Sequence, residues 1–393
     1  MGRIVIVGGG FAGLFTALNL ERYHWPGERP EVLLVDRAER FVFAPLLYEL
    51  VSGELKTWEV APRFADLLEQ TQIRFKQAEV SGIDLENQKV LLGDGTAEPY
   101  DQLVLTAGGS TPVEIVSGAR EHALAFRTLE DAERLINRLK FLLDQGADPV
   151  RVALVGGGAS GVELACKLAD TLRDKGSILL VDREKEILPQ TDAMIRKAAC
   201  AQLERRGIRL NLQTKILSVQ AEGLETETTE RSSAFLPADV VLWTVGTTVP
   251  KLVRDLDLPK DERGRIRVLP TLQVVDHPEI FALGDLAAAV DAQGHAIGAS
   301  AQVAFQQADY SAWNLWAEST GRPLLAFRYY SLGMLLSLGV DSGVASLAGM
   351  QVEGPLAYLI RRIAYLLRMP TSAHRLRVGL NWAATPVLDW LQG

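Results

Sequence analysis

Short runs of aliphatic and β-branched residues recur along this chain, and the most regular of them empty into glycine. Arg3-Ile4-Val5-Ile6-Val7 and Arg151-Val152-Ala153-Leu154-Val155 are continuous rather than alternating, the pattern of parallel strands buried on both faces. A helix-like apolar stretch follows each set of glycines, Leu14-Phe15-Thr16-Ala17-Leu18 in one case and Val162-Glu163-Leu164-Ala165 in the other. Roughly twenty residues further on, second strands end in acids, Val32-Leu33-Leu34-Val35-Asp36 and Ile178-Leu179-Leu180-Val181-Asp182. The pattern predicts two βαβ units.

The similarity between the halves extends past these units. Ile73-Arg74-Phe75 opens a strand-rich stretch that ends at Leu103-Val104-Leu105-Thr106-Ala107-Gly108, and Ile208-Arg209-Leu210 opens one that ends at Val240-Val241-Leu242-Trp243-Thr244-Val245-Gly246. Each half therefore reads as βαβ, a meander, and a last parallel strand whose glycine exit returns toward the first turn. Self-similarity on this scale marks a duplicated fold. The fold class expected is α/β, with two Rossmann-like dinucleotide-binding domains.

The glycines themselves suggest the ligands. Gly8-Gly9-Gly10-Phe11-Ala12-Gly13 and Gly156-Gly157-Gly158-Ala159-Ser160-Gly161 both satisfy G-x-G-x-x-G between a strand and a helix. Gly8 and Gly156 permit the tight turn, Gly10 and Gly158 let a pyrophosphate approach the backbone, and Gly13 and Gly161 let helix lie close on strand. Amides at each helix N-terminus then face phosphate, while Asp36 and Asp182 are placed for ribose hydroxyls. Two nucleotides in one chain suggest FAD fixed in one unit and reduced by NAD(P)H held in the other. A third element, Ile280-Phe281-Ala282-Leu283-Gly284-Asp285, precedes a helix expected to start near Ser300. Gly284 and Asp285 fit a ribityl chain or pyrophosphate, or an ordinary strand exit. Following the first unit, they favour FAD there, with the helix dipole aimed at the flavin pyrimidine.

Bulk properties narrow the class. A length of 393 residues allows two or three domains. A formal net charge of −8 argues against a general nucleic-acid role. The apolar residues after Met1-Gly2-Arg3 run straight into the glycine turn, so they read as a first strand and not as a signal peptide. Uncharged runs such as Tyr329 to Val340 fall short of the ~20 residues needed to span a bilayer. Cys166 and Cys200 are far apart, so no dithiol pair stands ready to relay electrons. The five histidines are scattered, and no metal site is expected. A reduced flavin would hand its electrons directly to an acceptor.

Taken together, the paired glycine motifs, Ala107-Gly108, Leu283-Gly284-Asp285 and Ala301-Gln302-Val303-Ala304-Phe305-Gln306-Gln307 resemble the type II NAD(P)H:quinone oxidoreductases, single-chain peripheral membrane flavoproteins. The likeness covers nearly the whole chain. Phe41-Val42-Phe43-Ala44-Pro45-Leu46-Leu47-Tyr48-Glu49-Leu50, Ser52-Gly53-Glu54 and Trp58-Glu59-Val60-Ala61-Pro62 look most like the plastid and cyanobacterial branch. The resemblance implies non-pumping two-electron transfer from NAD(P)H to a membrane quinone, a naphthoquinone such as demethylphylloquinone or a plastoquinone or menaquinone type. It implies that Ala301, Gln302, Ala304 and Gln306 form the quinone-site motif. Gln302 and Gln306, four apart, share one helix face. Glu163 matches a family glutamate near nicotinamide and quinone, and would also suit a helix's first turn without any such role. An NAD(P)H-dependent reductase of a small iron-sulfur carrier is the alternative.

In Leu356-Ala357-Tyr358-Leu359-Ile360-Arg361-Arg362-Ile363-Ala364-Tyr365-Leu366-Leu367-Arg368, apolar positions recur at helical spacing and arginines punctuate the stripe. From Pro355 onward there are five arginines against Asp389. Such a segment suits an anionic membrane surface, with Trp382 and Trp390 as interfacial residues. A core helix or dimer contact would show the same period, and a homodimer stays open. The expected domains are 1–112 with 268–325 for FAD, 113–267 for NAD(P)H, and 326–393 for membrane association and the quinone site. The location expected is peripheral, on the cytoplasmic side of a thylakoid or plasma membrane. Asp182 should favour NADH by repelling a 2′-phosphate, whereas Arg183 could accept one.

Overall fold

The computed structural model describes residues 2–228, 233–291, 293–347 and 349–392, with side chains described as far as residue 384. Two parallel sheets form its framework. In the first, Arg3–Val7 is central, with Glu31–Asp36 and then Arg74–Gln77 on one side, and Gln102–Leu105 and His277–Ala282 on the other. Gln273–Val274 closes that edge antiparallel. In the second sheet Val150–Val155 is central, flanked by Gly176–Val181 and Val240–Trp243, with Arg209–Asn211 and Ala123–Ala125 outermost. The two central strands are nearly uninterrupted in their burial, which is why they carry no alternation.

Helices lie against these sheets where the glycines let them approach. Phe11–Leu20 and Ala159–Leu172 are the two glycine helices. A small antiparallel sheet follows in each half: Val80–Asp84, Lys89–Leu92 and Ala97–Pro99 in the first, Thr214–Gln220, Gly223–Thr228 and Ala234–Pro237 in the second. The chain re-enters the first sheet at Gln273–Val274 and His277–Ala282, then forms the long helix Ala301–Ser319. Ser300 caps that helix by accepting from the Val303 N–H at 3.1 Å, which fixes its start where sequence placed it.

The C-terminal segment ties the halves together. A three-stranded sheet, Met334–Ser337, Gly343–Leu347 and Met350–Glu353, comes before the helices Pro355–Leu367 and Ser372–Gln392. This sheet was not expected from sequence. Leu336, Leu338 and Val344 complete the apolar core of the second half, whereas Met369 and Val378 complete that of the first. Tyr48 and Val51, from the short helix Tyr48–Val51 of the first half, are buried in the core of the second.

Candidate functional site

The two glycine turns repeat one another bond for bond. Gly8 has φ +103° and Gly156 +117°, the left-handed range open to glycine. A Cβ on Gly13 would lie 1.9 Å from the Gly8 oxygen, and one on Gly161 1.9 Å from the Gly156 oxygen, so any side chain would push helix off strand. Gly10 and Gly158 face open space and head their helices without a side-chain cap, leaving the first-turn amides for an anion. Thr106 Oγ1 donates to the Val7 and Gly8 carbonyls at 2.9 and 2.8 Å, and Thr244 Oγ1 does so to Val155 and Gly156 at 2.9 and 3.3 Å. These threonines, which tie the last strand to the glycine turn, went unread in the sequence.

The acids close each turn in the same way. Asp36 accepts from the Gly9 N–H at 2.5 Å and the Ala38 N–H at 2.8 Å. Asp182 accepts from Gly157 and, at 2.8 Å, from Glu184. Arg183 is exposed and pairs with Glu184 at 3.3 Å. Gly108 and Gly246 turn the returning strands away at φ +66° and +74°.

A cavity of about 1060 Å³ runs from the first glycine turn past Asp36, Ala107 and Gly108 to Arg127 and Arg134. Its volume and its glycine, acidic and basic lining fit a dinucleotide of FAD size. Gly284, at φ +72°, lies against Ala12 and Ala304, and its N–H donates to the buried Gln307 Oε1 at 2.7 Å. Asp285 is ion-paired with Arg127 at 2.6 Å and borders the cavity at Gly109. Arg127 also donates to Thr247 at 3.3 Å, joining the halves. No sequence signal marked Arg127, because its partner lies 158 residues away.

A second, smaller cavity of about 200 Å³ is lined by Phe11 at the start of the first glycine helix. Phe43, Ala301, Gln302, Phe305, Leu332, Leu347, Tyr365 and Arg368 are among its walls. Ala301 and Gln302 both line it. Gln306 does not line it; both ends of its amide are engaged by the Tyr330 backbone, at 2.8 and 3.1 Å.

Glu163 is buried and does not line this cavity; Arg361 links it to two of the walls, Pro45 and Tyr365. The Glu163 Oε1 accepts from the Ser337 N–H at 2.8 Å and lies 3.5 Å from Arg361. Burial pushes its carboxyl up to about 7, against the opposing pull of Arg361 and the Ser337 N–H. Arg361 in turn binds Glu49 and, at 2.5 Å, the Pro45 carbonyl, and lies over the Tyr365 ring at 4.8 Å. Burial pushes the Tyr365 hydroxyl up to about 12. Lys167, four residues beyond Glu163 and fully buried, binds Glu54 and lies 3.8 Å from Glu49. Arg361 is thus no membrane-facing cation, in contrast to its place in the expected basic stripe. It is 1% exposed, because Ala357, Tyr358 and Arg361 form the inward face of their helix. Trp382 also turns inward in part, donating to Glu59 at 2.8 Å beneath the Arg362 guanidinium at 4.2 Å. The side chain of Trp390 lies outside the described residues.

Both cysteines are free, and burial pushes the Cys166 thiol up to about 12, so neither forms a redox pair. Two nucleotide folds, a dinucleotide-sized cavity and a separate apolar pocket define a flavoprotein oxidoreductase that needs no dithiol. The family model of pyridine nucleotide-disulphide oxidoreductases matches residues 2–308. The chain is 49% identical to Demethylphylloquinone reductase NdbB of Synechocystis sp., over 99% of this chain and 98% of that protein. It is 40% identical to Alternative NAD(P)H-ubiquinone oxidoreductase C1, chloroplastic/mitochondrial, of Arabidopsis thaliana, over 98% and 81%. The solved structure of NDH2 from Plasmodium falciparum with NADH superposes at a TM-score of 0.85, covering 98% of each chain at 17% identity, a likeness of fold. The chain belongs to the pyridine nucleotide-disulphide oxidoreductase family and, within it, to the type II NAD(P)H:quinone oxidoreductases.

Proposed function

We propose that this enzyme carries two electrons from NAD(P)H to a membrane quinone of the naphthoquinone class, without pumping charge, while seated on a membrane surface. The observation that carries this reading is the apolar pocket that shares Phe11 with the first glycine helix and is walled on its far side by Pro355–Leu367. The names of the relatives, which specify demethylphylloquinone and ubiquinone, support the acceptor class. A small iron-sulfur protein would require a polar docking face where Phe43, Leu332 and Leu347 stand.

When bound, FAD supplies two-electron exchange between the nicotinamide hydride and the acceptor. Gly8, Gly10, Gly13, Asp36, Ala107, Gly108, Gly284 and Asp285 would hold FAD, with Arg127 as a counter-charge. Gly156, Gly158, Gly161, Asp182 and Gly246 would hold NAD(P)H. Gln302 would donate to a quinone oxygen from the amide hydrogen that Gly333 does not take, since its Nε2 makes one long bond of 3.3 Å to the Gly333 carbonyl. The apolar walls keep water from the acceptor.

A two-stage anaerobic assay tests this reading. NADH or NADPH should bleach the flavin, and naphthoquinones should then restore its colour. Gln302→Ala should slow only the second stage, by roughly tenfold to a hundredfold for one lost transition-state donor. Equal loss in both stages would remove Gln302 from the acceptor side.

The overall reaction, NAD(P)H + H⁺ + quinone giving NAD(P)⁺ + quinol, takes up one proton. Glu163 would supply it in its acid form, which is present below about 7 and lost as pH rises through that value. Reoxidation by quinone should therefore decline above pH 7, and Glu163→Gln should flatten the profile. An unaltered profile in that variant would assign the proton to another group.

A further inference from the structure

The acceptor pocket is too small for the acceptor class assigned to it. Its volume of about 200 Å³ falls below the ~300–1,000 Å³ usual for small-molecule sites, and a membrane quinone adds an apolar tail to its rings. A wall able to give way would enlarge the pocket. Most of the walls are helices, half-buried strands or the buried Phe43. The exception is the segment that leads from Phe327 to Met334 and supplies Leu332 and Gly333 to the pocket.

This segment is held by side-chain amides in place of a neighbouring strand. Asn314, on Ala301–Ser319, pairs with both backbone groups of Leu325, at 2.9 and 2.7 Å. The Phe327 N–H donates to the Pro270 carbonyl at 2.8 Å, and Phe327 is fully buried. Gln306 pairs with both backbone groups of Tyr330. Gln302 completes the series: its Oε1 accepts from the Tyr329 hydroxyl at 2.6 Å and the Leu332 N–H at 3.0 Å. The root is held by buried groups, Asn314 on the backbone of an otherwise exposed Leu325 and Phe327 itself, whereas Tyr329, Tyr330 and Leu332 are exposed and held by Gln302 and Gln306, neither of which is fully buried. At the other end Gly333, at φ +91°, approaches the Ser346 carbonyl so closely that a Cβ would lie 2.0 Å from it. The segment therefore has a fixed root, a glycine at its far end, and a middle fastened by two glutamines.

We propose that residues 328–333 form a strap across the acceptor pocket, that the hydrogen bond from Tyr329 to Gln302 is its latch, and that release of the latch admits a quinone with a long apolar tail. The proposal rests on reading the pocket as the quinone site. It makes Tyr329 a positioning residue that acts through Gln302. Gln302 then has two separable parts, with Oε1 holding the strap and the free hydrogen on Nε2 left for the acceptor. It also gives Gln306 a task away from the quinone, as the second fastening of the strap.

The test uses FAD-loaded full-length enzyme as parent, Tyr329→Phe, Gln302→Ala, the double variant and Gln302→Glu. Trypsin cleavage at the exposed Arg328 is followed by mass of the fragment beginning at Tyr329. Reoxidation is compared for 2-methyl-1,4-naphthoquinone and for the same ring carrying a polyprenyl tail. Loss of the latch bond should raise cleavage about fivefold to tenfold in Tyr329→Phe; Gln302→Ala, which also gives up the bonds to Leu332 and Gly333, should be cleaved at least as fast, and the double variant no faster than Gln302→Ala. Gln302→Glu keeps the accepting oxygen for Tyr329 and Leu332 but not the donor to Gly333, so it should be cleaved more slowly than Gln302→Ala while reoxidising slowly. In Tyr329→Phe the KM for the tailed quinone should fall relative to that for the tailless one, with flavin bleaching by NAD(P)H unchanged. Unchanged or additive cleavage, or equal KM shifts for both quinones, would overturn the strap. Tyr329→Phe keeps the ring and carries the test if Gln302→Ala misfolds. A parent enzyme that neither quinone reoxidises would sink the quinone reading itself, and with it the role given to the tail, whatever the cleavage shows.

Discussion

Arg361→Ala is expected to destabilise the protein by about 3–5 kcal/mol, the usual cost of removing one partner from a buried ion pair. Its guanidinium is the centre of a charged cluster drawn from three parts of the chain: Glu49 from the first half, Glu163 and Lys167 from the second glycine helix, and Arg361 itself from the C-terminal segment. Without it Glu49 keeps a buried carboxylate, one of whose oxygens has no protein partner even now. Glu163 loses its strongest source of charge stabilisation. Against a typical total of about 5–15 kcal/mol such a loss is large. It should also depend on pH. An acid whose folded pKa lies above its unfolded value binds more protons when folded, so its presence weakens the fold progressively as pH rises between the two values. Removing Arg361 raises the folded value of Glu163 further, so the defect should be greater at pH 8 than at pH 6. Urea unfolding of the holoenzyme at both pH values measures this. Arg361→Lys should recover part of the loss, since it restores the charge but not the planar fork that reaches Glu49 and Pro45 together. A change below about 1 kcal/mol at both pH values would mean the cluster is far better hydrated than its burial implies.

Arg361 also shows where sequence stops being informative. The two nucleotide units were legible because their chemistry is local: glycines, first-turn amides and the terminal acid lie within some thirty residues, and each constrains the others. The duplication made each half a check on the other, down to the acids at Asp36 and Asp182. Burial of an arginine, by contrast, depends on a carboxylate 312 residues distant, and periodicity alone cannot tell the inward face of an amphipathic helix from its outward one when the inward face carries a charge. What Gln306 touches was illegible for a related reason, its partner being the Tyr330 backbone. Its spacing from Gln302 correctly implied one helix face, but that face is shared between the pocket and the strap. The sheet Met334–Ser337, Gly343–Leu347 and Met350–Glu353 escaped notice because Gly333, Gly339, Gly343 and Gly349 interrupt its alternation. At three of them, Gly333, Gly339 and Gly349, φ is positive, so the glycines that obscure the strands are the ones that let them turn.

The remaining large effect is expected on the proposed membrane attachment. Replacing Leu359, Ile363 and Leu367 by glutamate should lower binding to anionic vesicles by more than a hundredfold while leaving the fold intact. Among the described residues no helix is long and apolar enough to cross a bilayer. These three side chains are 52%, 50% and 62% exposed on the outward stripe of Pro355–Leu367, whose opposite face carries Arg361. Leu376 and Leu380, 64% and 62% exposed, extend the apolar surface onto the next helix. Burial of each exposed side chain in the interfacial region contributes on the order of 1–2 kcal/mol, and each new carboxylate adds repulsion from anionic lipid. Three such changes together are worth over 3 kcal/mol, or more than two orders of magnitude in partitioning. The substitution is preferable to truncation at Pro355, because truncation would also remove Arg361 from Glu49, and Tyr365 and Arg368 from the acceptor pocket. Vesicle co-sedimentation, with flavin bleaching by NAD(P)H as the control for folding, separates the two effects. Binding that survives the three glutamates in a protein whose flavin still bleaches would move the contact surface elsewhere. In that case the outward stripe would instead need a protein partner, such as a second copy of the chain, and the oligomeric state should change in the same variant.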